Sequence, residues 1–205
     1  MILDKQYSKN SNSIFLFGGA FDPIHNGHIK IAKEIFKKYM PLEFFFIPSK
    51  NPPHKNINTS YKNRIEMLEL ALNNEDIFKI SYIENNNKKN NYAIDYVIYF
   101  KNIYPKKKIN LVVGFDSLLD FPNWYKFKDL LTNTNLYVVS RPGANENQLS
   151  SSLNLYKKKI HIMNNIYLDI SSENIRHKIK CKSDIKSLCP IKVIEYIKKH
   201  NLYGY

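Results

Sequence analysis

Residues 13–17, SIFLF, form an unbroken apolar run stopped by Gly18 and Gly19, a pattern that suits a strand buried on both faces. From Gly27 the period changes. Ile29, Ala32, Ile35, Phe36 and Tyr39 fall at helical spacing, with Lys30, Lys33, Lys37 and Lys38 largely on the other side, until Pro41 closes the segment. A second strand is predicted over 42–48, LEFFFIP, followed by the proline-rich loop SKNPPHKNINTS. A helix is then predicted near 61–73, with Ile65, Leu68 and Leu72 on one face and Thr59 or Ser60 as its cap.

Further along, FKISYI at 78–83 reads as a weaker strand, 92–103 as a helix and INLVVG at 109–114 as a third core strand. Short helical pieces follow in DSLLDF and WYKFKDLL, then a strand over 136–140 and a last strand in IYLDI, residues 166–170. Strands alternating with helices imply right-handed crossovers. The expectation is a single α/β domain over 1–205, a Rossmann-like, doubly wound and mostly parallel sheet with helices on both faces and a C-terminal helical segment from about 172. In such sheets ligands bind beyond the carboxyl ends of the strands, which directs attention to the loops opening at Gly18, Ser49, Gly114 and Arg141.

Composition narrows the class. At 205 residues and 43% hydrophobic, the chain can bury one good core. It begins with a polar stretch rather than a secretory signal, and no apolar run approaches the roughly 20 residues needed to span a bilayer. A cytoplasmic protein with no membrane partner is expected. The two cysteines, Cys181 and Cys189, have neither CxxC spacing nor a zinc-type cluster, so no protein-held metal is expected and reduced thiols are preferred. The net charge of +13 invites a polyanion partner. The lysines, however, are scattered among asparagine, isoleucine, tyrosine and phenylalanine, residues with A- and T-rich codons, which argues against a nucleic-acid partner. ENNNKKNNY at 84–92 reads as a solvated loop of low complexity.

The candidate chemistry lies in the first loop, FGGAFDPIHNGHI at 17–29. Gly18 and Gly19 allow main-chain N–H groups to approach phosphate oxygens, and the helix that follows points its positive end to the same place. His25 and His28, three apart at the helix start, project to nearly the same side, where each can donate a hydrogen bond to a phosphoryl oxygen. The loop lacks the lysine of a Walker motif and the GxGxxG order of dinucleotide-binding proteins. On spacing alone, the pair could equally be two surface histidines or metal ligands lacking a third partner.

The wider context distinguishes these readings. GGAFDPIHNGH, residues 18–28, resembles the GxFDPxHxGH signature of the nucleotidyltransferase superfamily of class I synthetase type, and ISSENIRHKI at 170–179 resembles its ISSTxIR element. IPSKNPPHK at 47–55, RIEMLELAL at 64–72, VGFDSLLDFPNW at 113–124, VVSRPG at 138–143 and the C-terminal CPIKVIEYIKKHNLYGY are similar to the bacterial-type nicotinate mononucleotide adenylyltransferases. The resemblance implies transfer of AMP from ATP to nicotinate mononucleotide, giving deamido-NAD and pyrophosphate in NAD biosynthesis, with Mg²⁺ as cofactor. It implies His25, His28 and Arg176 as catalytic residues, and Gly18, Gly19, Ala20, Phe21, Gly114, Asp116, Ser171 and Ser172 at ATP. Lys55, Tyr92, Ala93, Trp124 and Arg141 would meet the mononucleotide, Trp124 by stacking on the pyridine ring. Without the resemblance, Asp116 reads as a helix cap and Trp124 as a core aromatic.

Two positions depart from the family pattern. Glu173 stands where the second signature has threonine, and Ala93, in NYAIDY, stands where SYTxDT supplies a hydroxyl for the pyridine carboxylate. Nicotinamide mononucleotide therefore remains an alternative substrate, with main-chain N–H groups at Tyr92 and Ala93 left to hold a carboxylate. A non-catalytic nucleotide- or RNA-binding protein on the same fold is an alternative of another class. Assembly of copies of the chain is left open.

Overall fold

The computed structural model describes residues 12–52, 57, 59–85, 92–140, 149–163 and 170–205. Six strands occur among them: β1 (Ser13–Gly19), β2 (Glu43–Pro48), β3 (Lys79–Ile80), β4 (Lys108–Gly114), β5 (Asn135–Val139) and β6 (Ile160–Met163). They lie in the order β3-β2-β1-β4-β5-β6, and every neighbouring pair is parallel. The helices are α1 (Asn26–Tyr39), α2 (Tyr61–Leu72), α3 (Ala93–Ile103), α4 (Phe115–Asp120), α5 (Phe127–Asn133), α6 (Ser172–Lys180) and α7 (Ile191–Lys199).

The two-residue period of the strands sorts their side chains between two cores. Phe15 and Phe17 of β1, Phe44 and Phe46 of β2 and Val112 of β4 pack with residues of α1, α2, α6 and α7. Ile14, Leu16, Ile47, Leu111 and Val113 point the other way, against α3, α4 and α5. Helices thus cover both faces, which is why these strands carry almost no polar positions. The doubly wound parallel sheet expected from the alternation of elements is the observed fold.

Chain order reverses direction between β1 and β4, the central pair. Their carboxyl ends, Gly19 and Gly114, therefore flank the switch-point crevice. The structure corrects the expected strand over 78–83 to two residues, after which a 3₁₀ turn, Ile83–Asn85, begins. Glu84 is consequently buried rather than part of a solvated loop, and its carboxylate accepts the Lys50 N–H at 2.6 Å. Edge strand β6 was not anticipated; it follows a nine-residue 3₁₀ segment, Ser151–Lys159, whose lysines hide its period. Of the predicted strand IYLDI, residues 166–169 lie outside the described residues.

Phenols with raised pKa values, Tyr196 buried, Tyr61 half-buried and Tyr82 more exposed, give the fold an alkaline limit. Tyr61, Tyr82 and Tyr196 are each pushed up to about 12, chiefly by burial and, for Tyr82 and Tyr196, also by hydrogen bonds to Glu69 and Glu66. Burial alone pushes the Cys189 thiol up to about 12. In the unfolded chain a phenol ionises near 10. Raised folded-state values mean that this stabilisation is complete below about pH 10 and is lost as pH rises through about 12. Because an unfolded thiol ionises near 8.5, the Cys189 contribution begins to be lost first, so urea midpoints measured from pH 7 to 11.5 are expected to stay level to about pH 8 and then fall, more steeply above about pH 10; a midpoint still level at pH 11.5 contradicts this assignment.

Candidate active site

His25 caps α1 and His28 is its third residue, and the two imidazoles serve each other's main chain. His28 N–H donates to His25 Nδ1 and His25 N–H to His28 Nδ1, both at 3.3 Å. Because each Nδ1 accepts a proton-bearing group, each ring carries its own proton on Nε2. The rings stack with centroids 3.6 Å apart, and His28 is further held edge-on by Phe17 and Phe21, at 5.8 and 5.1 Å. A Cβ at Gly27 would stand 2.8 Å from His25 Nδ1, so the glycine between the histidines makes room for the capped ring.

The two glycines before this loop also have close side-chain neighbours. A Cβ at Gly18 would meet the Tyr96 hydroxyl at 2.9 Å, and one at Gly19 would meet the Phe21 ring at 3.0 Å. A side chain at either position would therefore have to displace a neighbouring aromatic ring. Gly114 alone of these glycines faces open space, with nothing within 4 Å of its added Cβ. Gly114 is also the cap of α4, so Asp116 is the second residue of that helix rather than its cap, and it is exposed.

The two sequence signatures meet through main-chain carbonyls. Arg176 Nη1 donates to Asp22 O at 2.7 Å, Ser172 Oγ to Pro23 O at 2.9 Å, and Cys189 Sγ to Ile24 O at 3.8 Å. Asn26 returns the contact, donating from its main chain to Leu188 O at 2.8 Å and from its side chain to Ser187 O at 2.9 Å. Ser171 caps α6 by accepting the Asn174 N–H at 3.1 Å, and Arg176 lies one turn inside that helix as expected. Glu173 is exposed in the first turn. Both serine hydroxyls thus hold backbone, and the arginine is delivered to the histidine loop.

Behind the loop lies Arg64, 1% exposed. Its guanidinium donates to the carbonyls of Ala20 at 2.7 Å, Ser49 at 2.6 Å, Lys50 at 3.0 Å and Thr59 at 3.4 Å. Burial lowers its pKa from the ordinary value and the Asp22 carboxylate opposes that shift; an arginine remains charged regardless. It fastens the ends of β1 and β2 together, beside the Ser49 N–H bond to Gly19 O at 2.8 Å.

On the far side of the crevice, Tyr92 caps α3, and its N–H is taken by Asp95 Oδ2 at 2.9 Å. Ala93 is the first helical residue. The Tyr92 ring lies 4.4 Å from that of Tyr125, the neighbour of Trp124 in sequence. Trp124 is half-buried and packs on Phe121 at 4.9 Å, so it belongs to the rim of the second core and keeps part of its face outward. Lys55 and Arg141 lie outside the described residues.

A cytidylyltransferase-like family model matches residues 16–178, which span β1 to α6 and both signatures. A protein of Clostridium tetani named "probable nicotinate-nucleotide adenylyltransferase" is 37% identical over 194 residues, covering 92% of this chain and 97% of that protein. One of the same name from Carboxydothermus hydrogenoformans is 36% identical over 195 residues, covering 93% and 97%. The chain belongs to the nicotinate-nucleotide adenylyltransferases. Its fold agrees with the solved Plasmodium falciparum nicotinic acid mononucleotide adenylyltransferase complexed with NaAD, at a TM-score of 0.79 and 20% identity over 95% of this chain and 98% of that one.

As a nicotinate-nucleotide adenylyltransferase, the chain is a nucleotidyltransferase, and several residues that build its crevice were absent from the sequence-based candidates. Arg64 is hidden because an arginine among Ile65, Leu68 and Leu72 reads as surface; in fact Arg64, Met67, Leu68 and Leu72 are buried, whereas Ile65 is half-buried. Glu84, Asp22 and Tyr203 are similarly polar side chains in buried or half-buried places. Asp22 was visible only as part of the FDP string. Its partner Tyr203 follows it by 181 positions, a separation that no local pattern reports.

Proposed function

We infer that this enzyme transfers the AMP moiety of ATP to nicotinate mononucleotide, and that the reciprocal histidine cap carries the chemistry. The mononucleotide 5′-phosphate attacks the α-phosphorus of ATP; a new P–O bond forms, the bond from the α-phosphorus to the bridging oxygen breaks, and pyrophosphate leaves with that electron pair. No covalent enzyme intermediate is needed, so catalysis consists of alignment and charge stabilisation. His25 and His28 present Nε2–H donors to the phosphates at the amino end of α1, where the helix dipole adds to their effect. Arg176 stands beside the same loop and neutralises the departing pyrophosphate. Gly114 leaves room for the adenosine, with Asp116 accepting from ribose hydroxyls.

ATP would carry Mg²⁺ into the crevice, and the ion would supply neutralisation of the polyphosphate beside Arg176. Among the described residues no group of three or more His, Cys, Asp or Glu could hold a metal ion, which favours an ion carried by the substrate. The cytoplasm is the compartment proposed, in keeping with two unpaired thiols. Among the described residues no helix is long and apolar enough to cross a membrane.

Nicotinate is favoured over nicotinamide because the amino end of α3 attracts a carboxylate and not a neutral amide. With the Tyr92 N–H already bound to Asp95, this recognition falls to Ala93 and the amides after it. Pyrophosphate release from ATP, Mg²⁺ and each mononucleotide tests the reading. The expected kcat/KM for nicotinate mononucleotide is about tenfold or more above that for the amide. Equal values overturn the substrate choice, and no release with either overturns the function.

A further inference from the structure

We propose that Tyr203 is a positioning residue for adenylyl transfer, whose hydroxyl fixes the Asp22 carboxylate and thereby sets where the Arg176 guanidinium rests. This rests on the reading of Arg176 as a phosphate ligand. The Tyr203 hydroxyl donates to Asp22 Oδ1 at 2.6 Å. The other oxygen, Oδ2, lies 3.9 Å from Arg176 Nη1, a distance too long for a hydrogen bond and short enough for attraction. Arg176 is therefore bonded to the Asp22 main chain and only leans towards its carboxylate.

The exposures of the two partners give this arrangement its meaning. The Asp22 side chain is 7% exposed and cannot exchange a lost partner for bulk water, whereas the Arg176 side chain is 35% exposed and can turn into the crevice. Arg64, also near Asp22, has four of its five donors committed to the carbonyls of Ala20, Ser49, Lys50 and Thr59, which fix its guanidinium in place. If the phenol hydroxyl is removed, the carboxylate regains a donor most readily from Arg176. A close ion pair then forms and holds the guanidinium back from the phosphates.

The C-terminal segment is shaped to deliver this hydroxyl. Asn201 and Tyr203 adopt left-handed backbone, with φ of 48° and 63°, followed by Gly204 at 84°. Such conformations are unfavourable for residues other than glycine and persist where surrounding contacts dictate them. Leu202 and Tyr203 pack on the first core, and burial together with the Asp22 charge pushes the phenol pKa up, so it remains a donor throughout the working range. A chain end held in a strained hook by a bond into the phosphate loop is more than a tether.

The test is a double-mutant cycle with Tyr203→Phe and Arg176→Ala, measured as steady-state kinetics with ATP and nicotinate mononucleotide. Tyr203→Phe is expected to lower kcat about tenfold, leave KM for the mononucleotide unchanged, and leave the thermal midpoint nearly unchanged. In the Arg176→Ala background the same substitution is expected to cost less than about twofold. Tyr205→Phe, at the exposed chain end, serves as the control with unchanged rates. Wild-type kcat in Tyr203→Phe, or a tenfold loss that persists undiminished without Arg176, overturns the proposal and leaves the phosphate role of Arg176 intact. Wild-type turnover in Arg176→Ala overturns both.

Discussion

Replacing His28 by alanine is expected to lower kcat/KM about 100- to 1000-fold, the loss that follows removal of one pre-aligned donor to a phosphoryl transition state. The fold should survive. His28 Nδ1 accepts the His25 N–H, and losing such a cap costs about 1 kcal/mol, a shift of roughly 2–4 °C in Tm for a chain of this size. The catalytic effect of about 3–4 kcal/mol therefore exceeds the structural one and can be separated from it. Steady-state pyrophosphate assays on His28→Ala, with circular dichroism melting beside them, make the measurement. His28→Gln, which restores an N–H donor near the position of Nε2, should recover part of the loss. A folded alanine variant with near-normal kcat/KM would falsify the assignment of His28 to the phosphates.

Arg64→Met should have the larger effect on stability. Methionine keeps the unbranched stem and removes every donor, leaving the carbonyls of Ala20, Ser49, Lys50 and Thr59 without the guanidinium that bonds them. Stranding buried acceptors beside the Asp22 carboxylate is expected to cost about 3–5 kcal/mol, which lowers Tm by roughly 10 °C. Lysine should not substitute well. Its single ammonium has no planar fork with which to span carbonyls on three separate stretches of chain. Activity at a temperature where the variant is folded should fall too, because Ala20 and Ser49 frame the crevice. A Tm shift below about 3 °C would show that water takes over the bonds and that Arg64 is not the fastener of β1 and β2.

Both experiments act on the same small region from opposite sides. The histidines are the proposed phosphate donors, whereas Arg64 sets the backbone from which they project. The consecutive carbonyls of Asp22, Pro23 and Ile24 are bound by Arg176, Ser172 and Cys189, so the loop is held by the C-terminal part of the chain. The serines of ISSENIR thereby acquire a structural task before any ligand arrives, Ser171 as a helix cap and Ser172 as a clamp on Pro23.

The sequence by itself determined the features whose physics is local. Strand and helix periods identified β1, β2, β4, β5 and most helices, because burial on both sheet faces leaves apolar runs and burial on one helix face leaves a stripe. The spacing of His25, Gly27 and His28 placed both imidazoles at one helix start, an i, i+3 relation that any α-helix imposes. What lay beyond this reach was decided by tertiary structure. FKISYI has strand composition, yet its pairing ends after Lys79 and Ile80, where the chain turns to bury Glu84. Arg64 and Asp22 have surface chemistry and interior addresses, each made tolerable by partners far away in the chain. A buried charge is stable only where folding brings donors or acceptors to it, and the 154 positions between Asp22 and Arg176 leave no periodic mark in the sequence. The histidine loop was thus written locally, whereas its fastening and its arginine were decided by the closure of the chain on itself.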